Sequence, residues 1–387
     1  MTNQLGKDRF AQDRLQHLQS VIESDLAGGA YHGAVLKVAR GGEVGLDAVI
    51  GHADREHTRP LQADSVFTIF STTKAFTNVL CLRAIELGRF ALTTRASEII
   101  PEFSGGLRGE ITVFDLLTHS SGLPMLFTPK PGMCIDRLDE VVAALCANVV
   151  SIEPAGERVN YSPMANQLLL GEMLRRTDPQ GRRFRDIVAE DLFMPLGMMD
   201  SAIGVRRDLQ PRHIVPDFQG HAPIDHLSSA VPGKNGAYED PDAEMPWVGA
   251  VSTVPDLFRF AEMLRQGGTL DGVRILSRAM MVKATKNWAG DKPNELYKML
   301  AHKRGWKPSP AGIGLGFTVR TEHICHHMFG TLTSPGTFGN YGSGSALFWI
   351  DPTLDMTFVC LTAGLLESND NIVRFQKLSD IAASAAV

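Results

Sequence analysis

Apolar and polar positions change period several times along the chain, and each change marks an element. Phe10, Leu15, Leu18, Val21, Ile22 and Leu26 form a stripe at helical spacing, ended by Gly28-Gly29. His32 to Val38 and Val44 to Gly51 read as the two strands of a hairpin turning at Arg40-Gly41-Gly42. Val66 to Phe70 is an apolar, β-branched run, and Ala75 to Leu87 then takes helical period with Phe76, Val79, Leu80, Ile85 and Leu87. Thr112 is placed to cap a short helix holding Phe114, Leu116 and Leu117, and Ser120 to Pro124 reads as a turn.

Leu138 to Val149, Met164 to Arg175 and Arg183 to Leu192 predict three further helices. Thr253 and Asp256 are spaced to cap a helix over Leu257 to Arg265. Leu209 to Asp242 lacks periodicity and reads as a long loop on the surface or along a pocket. Thr285 to Pro310 is equally irregular; it reads as a solvated excursion in preference to a flap over a pocket. Strand patterns return at Leu315–Arg320, Ile324–Phe329, Ser345–Ile350 and Met356–Thr362, and Asn371 to Ala383 predicts a closing helix.

The order helix, strands, helical insertion, helix, strands, helix predicts an α/β (α+β) fold. An antiparallel sheet is flanked by helices, and a mostly helical subdomain is inserted in sequence. The expected parts are 1–111 and 246–387 for the sheet-bearing domain and 112–245 for the helical one.

Composition narrows the function. With 387 residues and 44% hydrophobic content the chain can bury a large core. A net charge of -5 and the lack of a basic block argue against a nucleic-acid partner. The polar start, with Lys7, Asp8 and Arg9, has no signal-peptide core, and no apolar run is long enough for membrane insertion, so a cytoplasmic location is expected. Five scattered cysteines read as reduced, mostly buried thiols. His323, Cys325, His326 and His327 raise a metal site, but on a strand His326 would face away from the other three and no acidic ligand has suitable spacing. No metal and no cofactor are expected.

The candidate chemistry begins at Ser71-Thr72-Thr73-Lys74, where the extended run meets the helix. Lys74 is about one helical turn beyond Ser71 and shares its face. A serine hydroxyl becomes a nucleophile when a nearby base takes its proton, and a lysine made neutral by burial and a helix N-terminus is such a base. The same four residues also suit a helix cap followed by a solvated lysine.

Further stretches carry a resemblance: Leu116-Leu117-Thr118-His119-Ser120-Ser121-Gly122-Leu123, then Tyr161-Ser162-Pro163, then Asn340-Tyr341-Gly342. Together with Ser71 and Lys74, and in this order, they resemble the serine β-lactamase and penicillin-binding-protein superfamily. The branch of class C β-lactamase-related esterases, the family VIII carboxylesterases, is the most similar. The resemblance runs from about Gly33 to Phe358.

It implies an acyl-enzyme on Ser71, with Lys74 and Tyr161 in proton transfer and either as the formal base. It also implies an oxyanion hole from the backbone N–H groups of Ser71 and Ser343, and substrate contacts at Asn340, Tyr341 and Gly342. His119 and Ser120 are expected to fix their turn by hydrogen bonds.

Two departures bear on substrate. Pro163 stands where lactamases of this group usually have asparagine, and has neither an amide side chain nor an N–H to hold a substrate amide or organise Lys74. Asn340 stands where a Lys-Thr-Gly strand would supply a cation for a β-lactam carboxylate. Both argue against β-lactam hydrolysis as the main role. The expected activity is hydrolysis of small or apolar carboxylic esters, with Phe127, Trp247, Trp288 and Tyr341 as candidate pocket aromatics. Amidase or D-aminopeptidase action, acyl transfer to an alcohol and weak β-lactamase action use the same serine. A non-catalytic scaffold would be marked by loss of Ser71, Lys74 or Tyr161, and all three are present.

Overall fold

The computed structural model describes residues 9–217 and 236–387. In chain order its strands are β1 Gly33–Arg40, β2 Glu43–Gly51, β3 Val66–Thr68, β4 Ala202–Ile203, β5 His213–Ile214, β6 Ala250–Ser252, β7 Thr269–Leu270, β8 Val273–Arg274, β9 Thr318–Val319, β10 Phe338–Gly342, β11 Ala346–Asp351 and β12 Met356–Ala363. Its helices are α1 Gln12–Ala27, α2 Thr73–Glu86, α3 Ala96–Ile99, α4 Val113–Leu117, α5 Leu138–Asn148, α6 Ala165–Thr177, α7 Phe184–Val188, α8 Val254–Arg265, α9 Arg278–Ala284, α10 Glu295–Lys303 and α11 Ser368–Ser384.

The main sheet is antiparallel, in the order β2-β1-β12-β11-β10-β9. Period-two alternation divides its side chains between two apolar layers. Leu36, Trp349, Phe358 and Cys360 pack with Leu18 and Ile22 of α1 and Phe375 and Leu378 of α11. Val35, Phe348, Ile350, Val359 and Leu361 face the other way, into a core shared with Phe76 of α2, Phe260 of α8 and Leu168 of α6. The first and last helices therefore cover one face, and α2 and α8 lie in the core on the other. With both faces covered, β12 is buried along its whole length. A smaller sheet, β4-β6-β3-β5, leads the chain into α2, and its β3–β5 pair is parallel.

Local capping follows the residue pattern. Thr112 accepts from Asp115 N at 3.3 Å at the start of α4, and Thr253 accepts from Asp256 N at 3.2 Å at the start of α8. No helix among the described residues is long and apolar enough to cross a membrane.

Three expectations change. Ile324–Phe329 is loop, because the Arg320 guanidinium curls the chain around itself. It donates to Thr321 O at 2.9 Å, His323 O at 2.8 Å and Thr331 O at 3.3 Å. The strand in that part of the sheet is β10 instead, formed by the glycine-rich stretch around Asn340-Tyr341-Gly342, the third motif of the resemblance after those at Ser71 and Tyr161. The supposed excursion over Thr285–Pro310 contains α10, capped by Asn294, whose side chain accepts from Leu296 N at 3.1 Å. The middle of the expected Leu209–Asp242 loop, 218–235, lies outside the described residues; its described ends carry β5 and a short 3-10 turn at Gly236–Tyr238.

Candidate active site

Ser71 sits in a tight 3-10 turn, Phe70–Thr72, between β3 and α2. The residue before it, Phe70, has φ +46. A bulky residue in that region costs on the order of 1–3 kcal/mol and persists only where its surroundings hold it. Here they do: Phe70 is buried, edge-on to Tyr238 at 5.4 Å, and Ile69 N donates to Ala250 O at 3.1 Å. The apolar run thus ends in a strained corner, where its composition predicted a smooth extended approach.

Lys74 is 3% exposed. Its Nζ lies 3.1 Å from Ser71 Oγ and donates to Pro163 O and Trp247 O, each at 2.9 Å. Burial pushes its pKa well below the ordinary lysine value. A neutral amine has two N–H donors and one lone pair. In that state the two carbonyls would take both donors and the lone pair would face the Ser71 hydroxyl. Pro163 contacts Lys74 through its backbone carbonyl, which needs no side-chain amide. Asn166 does not stand in for the missing asparagine: it is engaged by Ser121 Oγ at 2.9 Å and donates to Leu116 O at 2.9 Å.

Tyr161 hydrogen-bonds to Ser71 through its hydroxyl; burial pushes its pKa up to about 12, partly offset by that bond. Lys74 Nζ lies 5.3 Å from the centre of its ring. Behind it, His119 packs at 4.8 Å between ring centres and accepts from Ser162 N at 3.0 Å through Nδ1. His119 has φ +54, and its carbonyl accepts from Asn160 N at 2.9 Å. Burial, then the neighbouring Lys74, lowers its pKa to about 3, so it is a neutral bracket that aims the Tyr161 segment. Ser120 closes the same turn by accepting from Gly156 N at 2.8 Å.

The third motif lies on β10, against the Ser71 turn. A side chain at Gly342 would collide with the carbonyl oxygen of Ile69, so glycine here lets the strand approach the nucleophile's own corner. Asn340 spends its amide on backbone: Nδ2 donates to Gly316 O at 3.3 Å and Oδ1 accepts from Thr318 N at 3.4 Å. Burial and then Tyr161 hold the Tyr341 pKa well above its ordinary value, and the Tyr341 ring stands 6.0 Å from that of Tyr297.

Ser71 opens onto two cavities. The inner one, of about 60 Å³, is lined by Lys74, His119, Asn340, Thr318, His326 and His327 among others; among the described residues Lys74 is its one lysine, and it has no arginine. The outer one, of about 330 Å³, is walled by Met125, Phe127, Trp247, Leu296, Met299 and Leu365, and Ser343 lines it too. Tyr161, Tyr297 and Tyr341 stand between the two, lining both. His326 and His327 thus reach one chamber, where strand alternation would have opposed them. Trp288 lines neither cavity and packs edge-on to Phe114 at 5.7 Å.

Residue-type reasoning missed Asn294, Tyr297 and Met299. The signal was present: an asparagine cap followed by Leu296 and Leu300 at i, i+4 spacing.

A serine held against a buried lysine and a buried tyrosine, beside the glycine-rich strand β10, is an arrangement that suits serine acyl transfer. The family described as Beta-lactamase matches residues 18–382, and the chain belongs to it. Among curated proteins it is similar to the Esterase/beta-lactamase LipL of Mycobacterium tuberculosis, 26% identical, covering 92% of this chain and 82% of that protein. Among solved structures it is similar to a penicillin-binding protein homolog from Caulobacter crescentus, with TM-score 0.74, 26% identity and coverage of 96% and 98% of the two chains. It shares its fold with a family VIII carboxylesterase, with TM-score 0.74, 19% identity and coverage of 95% and 97%. The coarse class that follows is an enzyme of hydrolase type.

Proposed function

We propose that the protein is a serine carboxylesterase acting on small or apolar carboxylic esters through a Ser71 acyl-enzyme. The observation that carries this reading is the hydrogen-bond count at Lys74: two carbonyl acceptors and one serine oxygen around a buried amine. Lys74 Nζ takes the Ser71 proton as Oγ bonds to the ester carbonyl carbon. The charge that grows on the carbonyl oxygen is met by the N–H groups of Ser71 and Ser343, a kind of donor whose loss costs about 10²–10³ in rate. The C–O bond to the alcohol then breaks. Tyr161, neutral and bonded to Ser71, gives its proton to the departing oxygen and is reprotonated from Lys74. Water attacks the acyl-enzyme carbonyl carbon, its proton passing to Lys74; the bond from that carbon to Ser71 Oγ then breaks, Lys74 returns the proton to Oγ, and the acid leaves.

An ester is favoured over a β-lactam because, among the described residues, the inner cavity offers no arginine and no lysine besides Lys74 to pair with a carboxylate, and Lys303 in the outer cavity is accompanied there by Glu367. The mainly apolar walls of the outer cavity, Met125, Phe127, Trp247, Leu296, Met299 and Leu365, suit an apolar substrate part. The name of LipL, an esterase/beta-lactamase, agrees with this class. The test is a panel on one preparation of wild type and Ser71→Ala: p-nitrophenyl acetate and butyrate, a D-alanyl amide, nitrocefin, and an ester with an alcohol acceptor. Ser71-dependent ester hydrolysis above the other reactions supports the reading. Faster amide cleavage or preferred transfer to the alcohol replaces the substrate class while keeping the mechanism.

A further inference from the structure

Behind the β10–β11 turn lies a cation that the chemistry above does not use. Arg374 of α11 is 4% exposed, and its hydrogen-bond partners are all neutral. Nη2 donates to Gly344 O at 3.0 Å and to Asn371 Oδ1, and Nη1 donates to Thr362 Oγ1 at 3.1 Å. Its Nε has no partner among the described residues. The guanidinium is flanked by the rings of Tyr31, 4.8 Å away, and Phe375, 4.2 Å away. Burying a guanidinium with neutral partners is unfavourable, and burial lowers its pKa accordingly.

What Arg374 holds is the turn that carries Ser343. The Gly344 carbonyl accepts from Arg374 and from Leu366 N at 3.1 Å. Thr362 Oγ1, accepting from Arg374, is thereby set to donate to Ser345 O at 3.2 Å, and Thr362 N donates to the same oxygen at 2.9 Å. Two successive carbonyls of the turn, at 344 and 345, are therefore fixed by one buried arginine, one directly and one through a threonine. Ser345 N closes the turn on Gly342 O at 3.3 Å. Gly344 has φ +66, and a side chain there would meet Leu365 and Leu366, so the turn has little freedom to adjust.

We propose that Arg374 is a positioning residue for the oxyanion hole. It anchors the Gly342–Ser345 turn so that the Ser343 N–H is held over the cavity it shares with Ser71. This rests on the reading of Ser71 and Ser343 as the oxyanion donors. A buried charge one residue from Ser343 is also weakly screened, and it favours negative charge developing nearby. Arg374 acts through the turn and touches no substrate.

The experiment compares wild type, Arg374→Met, Arg374→Lys and Thr362→Val by three readouts. These are kcat and KM on p-nitrophenyl butyrate, affinity for a phenylboronic acid that forms an anionic tetrahedral adduct on serine, and hydrogen–deuterium exchange of the 342–345 peptide. R374M is expected to lose about 10²-fold in kcat with KM within about threefold, and boronate affinity falls with kcat. R374K recovers part of both, and T362V loses about tenfold by the same pattern. Exchange rises in the 342–345 peptide.

A merely structural role would lower the melting temperature and leave the per-site kcat and boronate affinity of the folded fraction unchanged. That result overturns the proposal. If R374M does not fold, T362V decides by the same criteria. If wild type shows no Ser71-dependent turnover, the esterase reading fails separately. Exchange in T362V and R374M then still decides whether Arg374 positions this turn, and an unchanged 342–345 peptide overturns it.

Discussion

Lys74 Nζ stands 3.1 Å from Ser71 Oγ, with backbone carbonyls at 2.9 Å on its other two sides. In the proposed mechanism a neutral Lys74 gives its two N–H donors to those carbonyls and its lone pair to the Ser71 proton. Lys74→Met is expected to lower kcat/KM about 10³-fold, within the usual range for a general base. Steady-state kinetics with active-site titration would check it; a loss under tenfold would remove Lys74 from proton transfer.

The lowered Lys74 pKa also has a stability signature. The unfolded state holds the lysine proton up to about pH 10.4, whereas the folded state releases it at lower pH. Between the two values the unfolded state binds more protons, so stability contributed at this site rises with pH. Wild type is expected to gain stability relative to K74M from neutral pH toward 10, measured by urea unfolding. A difference that stays flat over that range would mean a lysine charged in the folded state.

His119 is neutral to about pH 3 and serves as a bracket. In the proposed mechanism the acid limb of the pH–kcat/KM profile then belongs to Lys74, with activity rising as that amine loses its proton. In His119→Gln the limb is expected to persist at a similar pH, with a lower plateau. Its disappearance in H119Q would assign the titration to the imidazole.

Gly342→Ala places a methyl group against the Ile69 carbonyl. Overpacking of this kind costs about 1–3 kcal/mol. The displaced atoms belong to the corner that presents Ser71, so activity is expected to fall by more than the loss of folded protein. Thermal melting alongside kcat on the folded fraction would separate the two, and full activity in G342A would show that β10 does not set the nucleophile's position.

Away from the site, burial raises the pKa of Asp256 to about 6, against the hydrogen bonds it accepts from Ser201 and Asp200 N. The folded state then binds more protons than the unfolded state between about pH 4 and 6, so this site's contribution falls as pH rises through that window. The full difference is about 3 kcal/mol. Asp256→Asn is expected to flatten the stability profile between those pH values; an unchanged slope would mean that Asp256 is ionised throughout.

The elements most readable from the residues were those with strong period or explicit caps. The α1 stripe, the β1–β2 hairpin and the helices starting at Thr112 and Thr253 all follow local rules. Ser71, Lys74 and Tyr161 could be nominated from residue type and order. Their meeting depends on long-range contacts that no local pattern contains, such as Lys74 with the carbonyls of Pro163 and Trp247. Ile324–Phe329 is loop and not strand because buried Arg320 binds the carbonyls of Thr321, His323 and Thr331 on either side of it, a tertiary effect overriding strand propensity. Tyr297 was overlooked because α10 is short and set among polar residues, though its asparagine cap was visible. The strain at Phe70 has no residue-type signal at all, since phenylalanine disfavours the conformation it is held in.

The decisive measurement is intact-mass and peptide analysis of wild type and Ser71→Ala during turnover of p-nitrophenyl butyrate. The expected result is a butyryl adduct on the peptide containing Ser71 in wild type, with release of p-nitrophenol that S71A reduces at least about 10³-fold. Undiminished turnover in S71A, or an adduct on another residue, would contradict the assignment of Ser71 as nucleophile and the mechanism built on it.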